Sequence, residues 1–167
     1  GINVDTKEVD MVVILGDSGY NLYVSNDNMY LVGTNYYFWP ILNTLIDEVT
    51  TDESTFDSKT AILKVSIGNA EVEYEALGLI SGNTLNQFSM DEYQGNLRIT
   101  TTEGWWGEEI NNRLYILDEN LEEVSVLENL GKVGETIKST RFVGDYAYLV
   151  TFEQTDPFYV INLSNPL

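Results

Sequence analysis

The sequence predicts an all-β chain built from recurring four-stranded antiparallel meanders, and three observations carry that expectation. Tyr, Val, Ile and Thr alternate with polar residues over short runs, the pattern of half-buried strands. The runs are separated by Gly, Asn and Asp, which tolerate the positive φ of tight reversals. One hairpin pattern then recurs three times along the chain.

The elements follow in order. Met11–Leu15 reads as a strand standing alone before the first unit. Tyr20–Ser25 and Met29–Thr34 flank the turn Asn26-Asp27-Asn28, and Ala61–Ile67 and Val72–Leu77 complete the first meander. In the second, Gln87–Met90 reads as the first strand and Asn96–Thr101, after Gln94-Gly95-Asn96, as its partner. Arg113–Leu117 and Val124–Leu127 follow across the turn Asp118-Glu119-Asn120. The third unit has Thr140–Val143, Tyr148–Phe152 and Phe158–Leu163, with no fourth strand after them. Between Asn35 and Lys59 the rhythm changes. Ile41, Leu42, Leu45, Ile46 and Val49 fall on one helical face behind Pro40, which suits a first turn, so a short helix is expected near 40–49. The acidic and hydroxyl-rich Thr50–Ser54 reads as solvated loop.

Four-stranded antiparallel units repeated every roughly 40 to 50 residues are the signature of β-propeller blades. A sandwich also uses short strands, but it does not require one hairpin to recur in register. The expected division is an outer strand of a preceding blade at 1–16, a blade at 17–82 with an insertion at 35–59, a second blade at 83–133 and an incomplete blade at 134–167. Rings close with at least about four blades, so the chain reads as a partial propeller. It is either a piece of a larger ring or one half of a homodimer, in which two copies exchange Met11–Leu15 and close six blades.

Composition narrows the chemistry. The 167 residues carry 27 Asp and Glu against 8 Lys and Arg, a net charge of −19, which repels phosphate backbones and anionic headgroups. Nucleic acid is therefore not an expected partner. No apolar run approaches the roughly 20 residues that span a bilayer, so membrane insertion by this segment is not expected either. With no histidine there is no Ser-His-Asp triad and no imidazole acid or base; with no cysteine there is no thiolate and no disulfide. Gly16-Asp17-Ser18-Gly19 imitates a serine-protease nucleophile motif but lacks the histidine to take its proton, and reads as a turn.

Three longer stretches carry a resemblance. Asn86–Tyr93 with Gly95–Thr102, then Leu114–Leu121, then Gly134–Asp145 running on through Tyr148–Phe152 to Asp156-Pro157-Phe158 and Asn162–Pro166, occur in one order. From about Tyr20 onward the chain resembles a family of secreted bacterial and archaeal proteins that carry a C-terminal β-propeller distantly related to WD repeats. The resemblance implies a propeller, an extracellular location and a family chain that continues beyond Leu167. It implies no activity and no catalytic residues.

Candidate site residues are weighed against ordinary structural roles. Asp91-Glu92 and Glu108-Glu109 are paired acids, and glycosidases set two carboxyl groups about 5 to 10 Å apart across a sugar bond. Neighbours on a strand point to opposite faces, so these pairs read as solvated surface. Asp47, Asp52, Glu53 and Asp57 lie in the insertion and Asp17, Asp27 and Asp118 at turns, where oxygen ligands would suit calcium, yet no calcium-loop signature is present. The aromatic loops Tyr36-Tyr37-Phe38-Trp39-Pro40 and Trp105-Trp106 both follow the second strand of their units, and Phe152 and Phe158 flank the matching place in the third. If the first strand of each unit lines the propeller axis, these loops open on one rim beside the links near Ser81-Gly82-Asn83 and 131–138. Tyr36, Tyr37, Trp39, Trp105 and Trp106 would there stack on sugar rings or grip a protein; the ordinary alternative is that they cap the core. Asn162-Leu163-Ser164 fits the glycosylation sequon but reads as a strand end.

The sequence thus points to a non-catalytic extracellular binding or scaffold module for a protein or polysaccharide. The alternative is a carboxylate-dependent carbohydrate-active hydrolase assisted by calcium. No cofactor is expected beyond that calcium.

Overall fold

Alternation of apolar and polar side chains lets each of these strands bury one face, and where both faces are apolar the strand must lie between two neighbours. The computed structural model describes residues 5–7, 21–34, 59–68, 71–104, 109–152 and 157–165. Among them eleven strands form three antiparallel sheets, so the all-β expectation holds. The lone strand at Met11–Leu15 and the helix near 40–49 lie outside the described residues.

The first sheet runs β1 (Asn21–Val24), β2 (Asn28–Thr34), β3 (Lys59–Ser66) and β4 (Glu73–Ser81), in that spatial order. The second runs β5 (Met90–Tyr93), β6 (Asn96–Glu103), β7 (Asn111–Leu117) and β8 (Glu123–Leu127). The third has β9 (Thr136–Val143), β10 (Tyr146–Phe152) and β11 (Phe158–Asn162), again in chain order. This up-and-down meander is the topology of propeller blades.

One strand departs from expectation. Gln87–Ser89 is a 3₁₀ turn and the inner strand of the second sheet begins only at Met90. Asn86 explains it: its side-chain oxygen accepts from Phe88 N at 2.9 Å and its carbonyl from Ser89 N at 3.0 Å, so the backbone is committed to a capped turn before it can pair.

Two of the core clusters are the seams between sheets, and a third, Ala61, Leu63 and Val65, lies on the outer face of the first sheet. Tyr30, Val32, Ile62, Ala76 and Ile80 of the first sheet face Met90, Leu97, Ile99, Tyr115 and Leu117 of the second. Tyr23 joins this seam and lies 5.9 Å from Tyr30, centroid to centroid. The second seam sets Leu114 and Ile116 against Ala147 and Leu163, with Phe142 and Ile161 packed alongside. Contact is close enough to need glycine at one point. A Cβ on Gly78 would stand 2.8 Å from Leu121 Cβ, and Leu121 itself reaches that socket with φ of 63° in the turn between β7 and β8. Lys64, buried in the same seam, donates from Nζ to Glu119 O of that turn at 2.9 Å.

Because the seams carry the apolar burial, Leu117→Ala should lower unfolding free energy by about 2–5 kcal/mol, whereas Val133→Ala, at a fully solvated position, should change it by less than about 0.5 kcal/mol. Urea titration followed by tryptophan fluorescence checks this, and equal effects would contradict a core made of inter-sheet seams.

Candidate functional site

Antiparallel meanders place their connections alternately on two rims. On one rim lie the turns β1–β2, β5–β6 and β9–β10, and there the two acids read from sequence as solvated have other roles. Asp91 and Glu92 do point to opposite faces of β5, as strand geometry requires, but each face meets a neighbouring sheet.

Glu92 reaches back to the first sheet. Ser25 Oγ donates to its Oε2 at 2.6 Å, Tyr30 OH to the same oxygen at 3.0 Å, and Asn28 Nδ2 to Oε1 at 3.0 Å. Its own N–H donates to Tyr23 OH at 2.9 Å. Asp91 instead pairs with Arg98 on the opposite face. The Arg98 guanidinium is buried between the rings of Tyr93 and Phe142, 4.4 and 5.0 Å from their centroids, and donates to Gly144 O at 2.7 Å. Tyr93 OH adds a bond to Asp145 Oδ1 at 3.0 Å. Two adjacent carboxylates therefore lock three sheets. The signal that could have revealed this was the recurrence itself, since a position facing a seam in one unit faces a seam in the next.

Charge follows from these contacts. Burial, reinforced by the Glu92 carboxylate, holds the Tyr30 phenol well above its usual range, and burial raises Tyr23 as well.

The opposite rim carries the links between sheets. Asn83 forms a bridge with Thr102, exchanging N–H···O bonds of 2.8 and 2.9 Å, and Thr101 Oγ1 donates to Ser81 O. In the second link Asn112 Nδ2 donates to Leu130 O and Glu135 O at 2.8 and 2.7 Å. The buried Glu135 accepts from Lys132 N at 2.9 Å and Thr151 Oγ1 at 2.6 Å, and these bonds hold its carboxyl below the usual carboxylate value.

The five candidate aromatics Tyr36, Tyr37, Trp39, Trp105 and Trp106 lie outside the described residues, as do the acids Asp17, Asp47, Asp52, Glu53, Asp57 and Glu108. The strand ends on either side of the aromatic loops are described. Thr34 pairs with Thr60, and Lys59 pairs with Ser81 at the start of the first link. Glu103 pairs with Asn111, one residue beyond the Thr102–Asn83 bridge. The chain segments 35–58 and 105–108 thus depart from the link rim. The second of them has a fixed base: Gly104, with φ of 92°, leaves no room for a Cβ beside Glu109 O, and Arg113 pairs with Glu103 and with Glu128 at 2.7 Å. Of the turn acids that would suit calcium, Asp118 uses its Oδ1 to accept from Asn120 N and Glu122 N at 2.8 and 2.9 Å. Among the described residues no three acidic side chains gather around one point.

Two pH dependences follow. A phenol raised in the folded state contributes stability that is complete below the unfolded value near pH 10 and is lost above it. Tyr30→Phe should therefore cost about 1 kcal/mol at pH 7 yet flatten the alkaline loss, seen as urea midpoints between pH 8 and 11; an unchanged alkaline slope contradicts the assignment. Glu135, lowered in the folded state, contributes stability present above its unfolded value and lost as pH falls through the folded one. Glu135→Gln should give a shallower decline between pH 5 and 3 than the parent chain, and coincident curves would exclude that role.

Similarity to known proteins agrees with this architecture. The chain is 47% identical over 109 residues to an uncharacterized protein of Methanocaldococcus jannaschii, a match covering 64% of this chain and 17% of that protein. It is 46% identical over 108 residues to an uncharacterized protein of Archaeoglobus fulgidus, covering 65% of this chain and 16% of that protein. The chain thus spans less than a fifth of the length of the curated relatives it matches. No solved structure matches it. The family described as a beta propeller domain matches residues 1–167, and with three consecutive antiparallel meanders meeting face to face, the chain belongs to that family.

Proposed function

We propose that this chain is a non-catalytic, extracellular propeller module that binds a polysaccharide or protein ligand through the aromatic segments of its link rim. The register carries this reading: the strand ends flanking 35–58, paired as Thr34–Thr60 and Lys59–Ser81, and those flanking 105–108, fixed by the Asn83–Thr102 bridge and the Arg113–Glu103–Glu128 cluster, fall on the same rim. A rigid base reduces the ordering cost of binding, and Tyr and Trp offer large faces for the C–H groups of a sugar or the side chains of a protein. A hydrolase working with two carboxylates would need one of them held protonated near neutral pH. Glu135, the buried acid of this rim, is shifted the opposite way. The extracellular location rests on the resemblance of the long motifs to exported proteins.

Retention on cellulose, chitin and starch, with the parent chain beside Trp105→Ala and Trp106→Ala, tests the reading. At least one polysaccharide should retain the parent and release each variant at least tenfold more readily, as truncation of an aromatic anchor does. Undiminished retention of both variants removes the tryptophans from the site, and reducing sugar released from the same polymers would establish hydrolysis instead.

A further inference from the structure

The inner ends of the sheets meet. The 3₁₀ turn Gln87–Ser89, which leads into β5, touches both β1 and β9, the first strands of the flanking sheets. Charge is sorted across the blades. The outer strands β4 and β8 expose Glu73, Glu75 and Glu123. The inner segments 21–24, 83–89 and 136–143 contain no acid at all, although the chain has 27. The two acids of β5 are engaged elsewhere, Asp91 with Arg98 and Glu92 with the donors of Ser25, Asn28 and Tyr30.

Two of the chain's 8 cations stand on this acid-free line. Lys138 and Arg141 of β9 are exposed, and neither forms an ion pair among the described residues. The Arg141 guanidinium lies 4.1 Å from the centroid of the Phe88 ring, and its Nη1 donates to Thr140 O at 2.6 Å. The stack fixes the plane of the guanidinium, and the bond to Thr140 leaves its Nε–Nη2 edge for another acceptor. Phe88 is 50% exposed and Leu85, in the same link, 46%. Ser89, next to Phe88, is fully buried, yet its hydroxyl has no partner among the described residues. The junction lies between two consecutive sheets that pack on each other within the chain, so both of its flanks are described.

We propose that Arg141 and Lys138, with Phe88 and Leu85 beside them, bind an organic carboxylate at the inner end of the seam between the second and third sheets. A carboxylate matches the free edge of a guanidinium through two parallel N–H···O bonds. Lys138, three residues away along the strand or roughly 10 Å, supplies a second charge on a flexible stem. Two observations favour an organic monoanion over phosphate. The exposed Leu85 and Phe88 give an apolar body a surface to cover, and a net charge of −19 opposes a dianion twice as strongly as a monoanion. The site is separate from the aromatic segments 35–58 and 105–108, and does not depend on their binding a polymer.

Titration of the 167-residue chain with benzoate, glucuronate, glucose and phosphate, followed by NMR shifts of the Arg141 Nε–H and of the Phe88 and Arg141 amides, tests the proposal. Benzoate or glucuronate should move these signals saturably and at least tenfold more tightly than glucose or phosphate, and the tighter of the two distinguishes an aromatic from a sugar body. Arg141→Gln and Lys138→Gln should each weaken that binding at least tenfold, as loss of a charged hydrogen-bond donor does, with urea midpoints unchanged because both side chains are exposed. Arg141→Lys, which keeps the charge and loses the fork, should fall between the parent and Arg141→Gln. Absence of a saturable shift with both carboxylates overturns the proposal. So does phosphate bound as tightly as either of them, or binding undiminished in either glutamine variant.

Discussion

The arrangement of this structure depends on the second sheet being buried on both faces. A sheet with one solvated face can tolerate a slip at its partner, because only one set of contacts is lost. A sheet held between two others cannot, since a one-residue slip in β6 would drive Leu97 and Ile99 out of one seam and push Arg98 and Thr100 into it. The polar locks answer this constraint. Glu92 fixes the first seam at the turn rim and Arg98 the second, while Asn83, Asn112 and Glu135 fix the links at the opposite rim.

The side chains of Glu92, Glu135 and Arg98 are buried or half-buried polar groups, and their worth lies in the several partners each one holds. Glu92 has three side-chain donors, and Glu135 a main-chain and a hydroxyl donor. Arg98 combines a carboxylate, a carbonyl and two ring faces. Apolar seams supply driving force without direction; these groups supply direction, setting which residue meets which across the seam.

Much of the architecture was legible in the residues. Gln94-Gly95 and Gly144 mark two of the hairpins because positive φ is a local requirement that few residues meet, and the turn at 26–28 is held instead by Ser25 Oγ, which accepts from Asp27 N and Asn28 N. The recurrence of the hairpin was readable for the same reason. Less legible was anything decided across a seam. Asp91 and Glu92 look like surface acids because sequence shows the polarity of a side chain and not what faces it. The start of β5 was misplaced by the Asn86 cap, a side-chain bond that competes with strand pairing at Gln87–Ser89. That the strand ends at Thr34, Lys59 and Glu103 share a rim with the links was inferable from alternation of connections alone, while the bonds that stiffen that rim, from Asn83, Thr101 and Arg113, join residues that nothing in the sequence pairs.

Burial of Lys64 and Arg98 has an effect beyond the seams they occupy. In a chain with 8 basic residues, every cation taken inside leaves the outer shell more uniformly anionic than the composition states. Such a shell raises the electrostatic cost of bringing an anionic surface against this segment and lowers that of a cationic one.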